Sequence, residues 1–437
     1  MTGDGSVTAR QRWVDETRGL VSRDAFVGEE TYRQELERIF GRCWILLAHE
    51  SEVPQPGDFV VRQLGGAPVI VVRDGEIRAL LNSCRHRGTE LCRADAGNAQ
   101  HFVCPYHGWS YRLDGSLTTT TFDRHFPEKA ASFSELGLVA VPRVETYRGL
   151  VFGCWDPDVL PLKRYLSDFA WYLDMFFARS PQGMEVLAPP HRWRTRANWK
   201  QGALNFIGDS QHVLTTHVGP TTLDPIRRAQ AGLFTPGKKS VQLFTDEGHG
   251  CTFTYLNDGV PEAFYQSHAP DLEPLYAKTL APAQAAALRR LRVVVGNVFP
   301  NFSFIETTVS VGQKAVIIRL WQPLGTTEME ILSWVLAERE ASAEYKQHAL
   351  NAGFRLFGVA GVFEQDDLTI WASAMAASDN PVARRHPYSF QTALPYMHRP
   401  EADFPGPGRA WRPVDTEVVQ FEFMRHWQRV MLSNALT

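Results

Sequence analysis

The feature that most constrains this chain is a set of two cysteines and two histidines in alternating order. Cys84-Arg-His86 is followed, after seventeen residues, by Cys104-Pro-Tyr-His107. Thiolate and imidazole groups both bind transition metals, so two loops that each supply one of each can hold a metal centre between them. The fold must therefore bring the two loops face to face.

The order of the ligands distinguishes two kinds of metal site. Zinc fingers group their ligands by type, two cysteines and then two histidines, whereas the types alternate here. Alternation suits a two-iron, two-sulfur cluster with both cysteines on one iron and both histidines on the other, which is the Rieske arrangement. The pattern therefore predicts a [2Fe-2S] Rieske cluster on Cys84, His86, Cys104 and His107. The alternatives are a zinc site and four unrelated residues in a β core.

The residues around this motif have the pattern of a small antiparallel β domain. From Cys43 to about Trp155, short β-branched and aromatic runs alternate with Gly, Asp, Pro and Asn. Apolar residues at helical spacing over residues 29–40 predict an amphipathic helix before it. We therefore expect an N-terminal helical segment at 1–42, which packs on the catalytic part, and the β domain at 43–155.

The remainder of the chain, 156–437, is predicted to be a larger catalytic domain with a central antiparallel sheet flanked by helices. Helical patterns cover 162–177 and 201–218, strand patterns follow up to about residue 337, and helices return near the C-terminus. The proline-containing stretch 257–287 is predicted to be a long loop or lid. The predicted fold class of the whole chain is α+β.

Composition excludes several classes of function. The 45 Lys and Arg against 48 Asp and Glu give a formal charge of −3, so there is no cationic excess that would point to nucleic acid or an anionic membrane. No apolar run approaches the roughly 18 residues of a spanning helix, and the polar start lacks a secretory signal pattern, so we expect a cytoplasmic protein. Because no Gly-rich nucleotide fingerprint is present, any electrons must come from another protein.

A second candidate metal site contains Asp209, His212 and His217. Two imidazoles and one carboxylate form the facial triad of non-haem iron(II) oxygenases, which leaves coordination positions open for oxygen and substrate. The two histidines are five residues apart, about 140° around a regular α-helix, so joint ligation requires a distorted or broken helix. The carboxylate can come from Asp209, or from Asp366 or Asp367 about 150 residues later. The residue pattern alone leaves this choice open.

Three motifs in this order resemble the catalytic α subunit of bacterial Rieske non-haem iron aromatic-ring-hydroxylating dioxygenases, the group that contains the naphthalene, biphenyl and phenylpropionate dioxygenases. The resemblance covers nearly the whole chain. Its motifs are Cys84-x-His86 with Cys104-x2-His107, Asn198-Trp199-Lys200 leading through Asn205 and Asp209 to His212 and His217, and Phe363-Glu-x-Asp-Asp367. Respiratory Rieske proteins carry a further cysteine in each ligand loop, where this chain has Thr89 and Tyr106.

The resemblance implies roles for the residues of the second site. It assigns His212, His217 and Asp367 to the mononuclear iron, with Asp366 as the alternate ligand. It makes Asp209 a bridge that accepts hydrogen bonds from His212 and from His107 of a neighbouring α subunit.

The resemblance also implies a catalytic position and a substrate pocket. Beside Asp209, the catalytic position is Asn205. The pocket positions are Phe206, Val213, Phe357 and Phe363. One departure is Leu204, which occupies a position where related enzymes often have an acidic residue.

The implied activity is that of a terminal oxygenase. Electrons from NAD(P)H pass through a reductase and a ferredoxin to the Rieske cluster and then to the mononuclear iron(II), and O2 is used to dihydroxylate an aromatic ring in cis. The implied assembly is a homotrimer, as α3β3 with a small β subunit. The alternatives are a Rieske monooxygenase or an O- or N-demethylase on the same scaffold, and an electron carrier that would need only 43–155.

The sequence leaves the aromatic substrate undecided. The phenylalanine-rich pocket favours a planar, largely apolar arene. A group of basic residues after the triad histidines would instead select an aryl carboxylate. These residues are Arg227, Arg228, Lys238 and Lys239.

Overall fold

A computed structural model of the chain describes residues 13–126, 133–219, 239–255, 271–289, 291–310 and 313–433. Within these ranges the fold is α+β, which confirms the predicted class. A nine-stranded sheet is flanked by helices, and one four-stranded and three three-stranded sheets accompany it.

The described residues form 22 strands. In chain order they are β1 (Val14–Asp15), β2 (Leu20–Val21), β3 (Ile45–His49), β4 (Asp58–Leu64), β5 (Ala67–Asp74), β6 (Glu76–Leu81), β7 (Ala96–Asn98), β8 (Phe102–Val103), β9 (Ser110–Tyr111), β10 (Leu117–Thr119), β11 (Arg143–Tyr147), β12 (Leu150–Cys154), β13 (Met184–Val186), β14 (His191–Thr195), β15 (Val241–Phe244), β16 (Gly250–Tyr255), β17 (Leu291–Val298), β18 (Phe302–Ser310), β19 (Gln313–Pro323), β20 (Met329–Glu338), β21 (Tyr388–Ser389) and β22 (Arg409–Trp411).

The helices connect and cover these sheets. In chain order they are α1 (Asp24–Val27), α2 (Glu29–Arg38), α3 (Leu162–Leu166), α4 (Ala170–Phe177), α5 (Trp199–Gly208), α6 (Glu273–Thr279), α7 (Pro282–Arg289), α8 (Ala343–Phe357), α9 (Glu364–Ser378) and α10 (Val418–Leu432). No helix of the described ranges combines the length and apolarity needed to cross a bilayer.

The central sheet is antiparallel throughout, in the order β13, β20, β19, β18, β17, β16, β15, β22, with β14 also paired to β20. Its long middle strands are rich in β-branched residues, which suit a pleated surface that is covered on both faces. Helices α5 and α8 pack on one face of these strands. Helix α4 lies on the other face, where Phe176 contacts Phe304 with ring centroids 5.4 Å apart.

Helix α5 lies very close to the sheet because a glycine faces it. The side chain of Asn198 caps the helix by accepting a hydrogen bond from the backbone N–H of Lys200. A Cβ added at Gly202 would lie only 2.3 Å from the Trp321 ring, so any side chain there would push the helix outward. The helix ends at Gly208, where a Cβ would lie 2.1 Å from the hydroxyl oxygen of Thr252.

One buried carboxylate of the N-terminal helix α2 binds side chains at the start of α5. Glu35 accepts hydrogen bonds from the indole nitrogens of Trp199 (2.9 Å) and Trp427 (2.8 Å) and pairs with the ammonium group of Lys200. The lysine nitrogen also lies 4.7 Å from the Trp199 ring, as a cation–π contact. The N-terminal segment is therefore joined to α5 and to the C-terminal helix α10.

The smaller β part has a core of its own. The sheets β6-β5-β4-β7 and β10-β9-β8 enclose it, and the three-stranded sheet β11-β12-β3 joins the larger core. Its buried members are Phe59, Ile70, Val72, Leu80, Cys84, Leu91, Phe102, Cys104, Trp109, Tyr111, Leu117 and Leu138. A domain boundary near Trp155 stays a prediction.

The predicted loop or lid at 257–287 is wrong in its described part, where α6 and α7 lie. The reason is the position of the prolines. Pro274 and Pro282 fall in the first turn of their helices, where the ring fits the helical φ and no N–H donor is required. Residues 256–270 lie outside the described ranges. By contrast, the predicted helix over residues 29–40 is confirmed as α2.

Candidate metal centres

The two Cys/His loops have matching backbone geometry. In the first loop, Cys84 N donates to Thr89 O (2.9 Å) and Gly88 N donates to Cys84 O (2.8 Å). The same two bonds recur around Cys104, at 2.8 and 3.0 Å, with Gly108 in place of Gly88. Both glycines take the left-handed conformation, with φ of +76° and +67°, which a residue with a side chain adopts at a cost. The two ligand loops therefore contain the same type of turn, and the two turns face each other.

The four predicted cluster ligands divide by burial. Cys84 and Cys104 are each 3% exposed and belong to the small core, whereas His86 is exposed and His107 half-buried. The two imidazole rings lie 4.6 Å apart between centroids. His107 Nδ1 is buried and has no hydrogen-bond partner among the described residues, which suits a nitrogen that binds a metal. This donor set, with thiols inside and imidazoles outside, fits a Rieske cluster.

Aromatic side chains support the cluster loops. The Trp109 ring stacks on His86, with centroids 4.9 Å apart and planes 6° from parallel. The hydroxyl oxygen of Tyr111 lies 3.4 Å from Cys84 Sγ and accepts a hydrogen bond from Arg85 N at 3.2 Å. Neither aromatic residue was selected from the sequence, although both follow the second ligand loop directly. The two rings hold the ligands from the side of the small core.

The predicted ligands of the second centre converge. His212 Nε2 lies 3.2 Å from His217 Nε2, and Asp367 Oδ1 lies 3.6 Å from each of them. In the part of the chain that the structure describes, this is the one group of three metal-binding side chains whose ligand atoms all lie within 4.8 Å of one another. Two imidazoles and a carboxylate on one side of a point fit a facial iron(II) triad.

The local fold supplies the broken helix that the His212–His217 spacing requires. Helix α5 ends at Gly208, and His212 begins a short 3-10 turn that ends at Leu214. Asp367 lies in the first turn of α9. Of the three carboxylates that the sequence left open, Asp367 is therefore the one brought to the two Nε2 atoms.

The other two carboxylates lie behind the histidines. Asp209 Oδ1 lies 3.4 Å from His212 Nδ1 and accepts a hydrogen bond from His212 N at 3.3 Å. Asp366 Oδ2 lies 3.2 Å from His217 Nδ1. A carboxylate on the outer ring nitrogen keeps the proton there and leaves Nε2 free to bind a metal. The sequence left Asp366 as an alternate ligand, and the geometry gives it this supporting position instead.

Burial and charge act in opposite directions on these groups. Burial favours a higher pKa for Asp209, but the His212 ring and the backbone N–H groups of His212 and Gln211 hold the pKa below its ordinary value. Burial raises the pKa of Asp367 to about 7, and burial together with the His212 charge lowers the pKa of His217 to about 4. A bound cation favours ionised carboxylate and neutral imidazole, so among the three proposed ligands only the pKa shift of His217 already favours binding.

The predicted pocket residues are only partly brought together. The Phe363 ring lies 5.0 Å from His217, and Phe357 stacks on Phe363 at 5.6 Å. Phe206 packs on Trp321 at 5.1 Å along the inner side of α5. Val213 lies half-buried in the 3-10 turn. The stacked Phe357 and Phe363 therefore form an apolar wall beside the triad.

Asn205, Leu204 and Lys239 are the other predicted positions that the structure describes. The Asn205 amide nitrogen lies 3.3 Å from His212 Nε2, so Asn205 adjoins the ligand set. Leu204 is 8% exposed and belongs to the large core, where an acidic residue would be costly. Of the basic residues considered for substrate selection, Lys239 is described, while Arg227, Arg228 and Lys238 lie outside the described ranges.

The position of Asp366 predicts a specific effect on metal affinity. We expect Asp366→Asn to lower the iron(II) affinity of the second centre about tenfold to a hundredfold, because the outer nitrogen of His217 loses its charged partner. Titration of the metal-depleted protein with iron(II) measures this. Asp379→Asn, directly after the C-terminal end of α9, is the matched control and should bind iron as the unchanged protein does. Equal affinity in Asp366→Asn and the control would contradict the supporting role.

Two family models match the chain over most of its length. The Rieske [2Fe-2S] domain matches residues 43–133, and the ring hydroxylating alpha subunit catalytic domain matches residues 162–431. The two matches contain the first and the second candidate metal centre, respectively.

The chain is also similar to proteins of known activity. It is 34% identical over 443 residues to the biphenyl dioxygenase α subunit of Paraburkholderia xenovorans (strain LB400), covering 96% of this chain and 92% of that protein. It is 34% identical over 432 residues to the N,N-dimethyl phenylurea N-demethylase α subunit of Sphingobium sp. (strain YBL2), covering 95% and 92%. Among solved structures, naphthalene 1,2-dioxygenase from Rhodococcus sp., bound to indole, superposes with a TM-score of 0.87 at 33% identity and 95% coverage of both chains.

Proposed function

Because this chain belongs to the family of ring-hydroxylating Rieske oxygenase α subunits, we propose that it is a terminal oxygenase that dihydroxylates an aromatic ring in cis. Its cofactors are a Rieske [2Fe-2S] cluster and a mononuclear iron. When bound, the cluster supplies single electrons and the iron supplies the activation of O2. Those electrons come from a ferredoxin and its reductase, and originally from NAD(P)H.

The observation that carries this proposal is the convergence of His212, His217 and Asp367 in a chain that also has the Cys/His loops. An electron carrier needs the loops alone. The triad adds a second redox centre with ligands on one side only, which leaves room for O2 and a substrate. The stacked rings of Phe357 and Phe363 lie beside the triad and favour a flat, apolar ring as substrate.

Asp209 links the proposed reaction centre to the surface of the chain. Its side chain is 38% exposed although it contacts His212, and of the proposed cluster ligands His86 is exposed and His107 half-buried. We propose that His107 of a neighbouring copy donates a hydrogen bond to Asp209, so that electrons cross between subunits of a trimer. A small β subunit completes an α3β3 assembly in the cytoplasm. The exposed Arg85 and Arg87 of the cluster loop give an acidic ferredoxin a local basic surface.

Product analysis tests the proposed activity. The purified protein, supplied with a surrogate ferredoxin and reductase, is offered a panel of planar apolar arenes and aryl carboxylates under ¹⁸O2. We expect a cis-dihydrodiol of an apolar arene that contains two labelled oxygen atoms, because both atoms of O2 enter the ring. If every product obtained from the panel contained only one labelled oxygen atom, dihydroxylation would be contradicted.

A second candidate activity is oxidative N-demethylation. The similarity to the phenylurea N-demethylase, at 34% identity, equals that to biphenyl dioxygenase. In this reaction one atom of O2 enters an N-methyl group, the other leaves as water, and the hydroxymethyl product releases formaldehyde. N-methylated arylureas therefore belong in the same panel, since formaldehyde without any dihydrodiol would favour this candidate.

A further inference from the structure

A fully buried ion pair lies beneath the proposed iron site. Arg319 is on β19, its side chain is 1% exposed, and its Nη2 lies 2.5 Å from Glu364 Oε2, whose side chain is also 1% exposed. The same nitrogen donates to the backbone oxygen of Phe357 at 2.7 Å. The guanidinium also lies 5.1 Å from the Phe206 ring and 5.8 Å from the Phe357 ring. One cation thus contacts three separate elements.

Each of these elements carries part of the proposed site. Phe206 lies on α5, which leads directly into the triad histidines. Phe357 is the last residue of α8, and Glu364 is the first residue of α9. Asp367 follows Glu364 by three residues, so the two carboxylates lie on the same side of the first turn. A movement of Glu364 would therefore move Asp367 with it.

Stability alone does not account for this pair. Removing two charges from water costs several kcal/mol for each, and buried ion pairs are often no more stabilising than apolar side chains of the same volume. Here the cost is incompletely offset, because Arg319 Nε and Glu364 Oε1 have no hydrogen-bond partner among the described residues. What a planar guanidinium does provide is a fixed geometry towards a carboxylate and a carbonyl at once.

We propose that Arg319 is a positioning residue for the mononuclear iron. Through Glu364 it fixes the first turn of α9, so that Asp367 meets His212 and His217. Through its contacts with the Phe357 carbonyl and with the Phe206 and Phe357 rings, it also fixes the position of the apolar wall relative to Asp367. This inference rests on the proposed role of the triad as the iron site.

The test compares two buried arginines of the same domain. Arg179 is also fully buried and pairs with Glu306 and with Glu338, the latter at 2.6 Å. Its partner Glu306 lies on the other face of the sheet from Arg319. Ser303 is opposite Arg319 in the β18–β19 register and shares its face, and Glu306, three residues further along β18, points to the opposite face because side chains alternate along a strand. Arg319→Met and Arg179→Met each leave a buried carboxylate without its cation. Both should therefore lower the melting temperature.

Only Arg319→Met should change the iron site. We expect its dissociation constant for iron(II) to rise about tenfold or more, and the EPR spectrum of its ferrous nitrosyl adduct to change, while the reduced-cluster EPR signal stays. Arg319→Lys keeps the charge and loses the planar guanidinium. Its dissociation constant for iron(II) should lie between those of Arg319→Met and the unchanged protein. Glu364→Gln keeps the side-chain volume and carries the test if Arg319→Met does not fold.

Two results would overturn the inference. One is unchanged iron affinity and an unchanged nitrosyl spectrum in folded Arg319→Met or Glu364→Gln. The other is an equal loss of affinity in Arg179→Met, which would mark general destabilisation. Failure of the proposed function is distinct, because in that case the unchanged protein would bind iron no better than a variant without His212.

Discussion

His212→Ala should lose the mononuclear iron and keep the Rieske cluster. The substitution removes one of the three proposed ligand atoms, and the remaining pair, His217 and Asp367, cannot hold iron(II) against water. Metal analysis of the unchanged protein should give about three irons and two acid-labile sulfides per chain, and the variant about two of each. Product formation should be abolished in the variant, because the cluster has no reaction centre to reduce.

The cluster should survive because it has separate support. Its loops are held by their own turns and by the small core around Cys84 and Cys104, to which His212 does not belong. The reduced-cluster EPR signal measures this directly. His398→Ala, at an exposed position, is the control and should leave iron content and turnover unchanged. Loss of the cluster signal in His212→Ala would mean that the two sites are misassigned, and zinc in place of iron would favour the alternative reading of the Cys/His loops.

The sequence predicted the parts of the molecule that short-range chemistry determines. The alternating order of Cys84, His86, Cys104 and His107 indicated the cluster. Runs of β-branched residues in some segments and apolar residues at helical spacing in others indicated the α+β class. The spacing of His212 and His217 also indicated that joint ligation requires a distorted or broken helix, and α5 ends at Gly208, before His212. Each of these inferences depends on residues that are close together in the chain.

What the sequence left open depends on contacts between distant segments. Asp367, rather than Asp209 or Asp366, lies at the two Nε2 atoms because the first turn of α9 approaches the segment that follows α5, about 150 residues earlier. The same holds for Arg319, which interrupts the otherwise apolar run 315–321 of β19. A charged residue in such a run signals a buried partner, but nothing local identifies Glu364, 45 residues later, as that partner.

Asp209→Asn should keep both metals and abolish turnover. Asparagine has nearly the same shape, and none of the three proposed triad ligand atoms is touched, so with iron(II) supplied in excess the iron and sulfide contents should stay at about three and two. What is lost is a charged acceptor that can hold two imidazole N–H groups at once. Asp209 is suited to this task because the His212 ring and two backbone N–H groups keep its pKa below the ordinary value, so the side chain is anionic at neutral pH.

The measurement separates electron transfer from metal binding. With the cluster reduced beforehand, substrate and O2 are mixed in, and the rate of cluster oxidation and the yield of product are followed in a single turnover. We expect both to fall about a hundredfold or more in Asp209→Asn, because the proposed route from His107 of a neighbouring copy to His212 loses its link. Asp366→Asn is the informative comparison, since it removes the other supporting carboxylate and should turn over normally once saturated with iron. Near-normal product from Asp209→Asn would show that electrons reach the iron without Asp209, and an equal deficit in both variants would mean that Asp209 only orients a ligand.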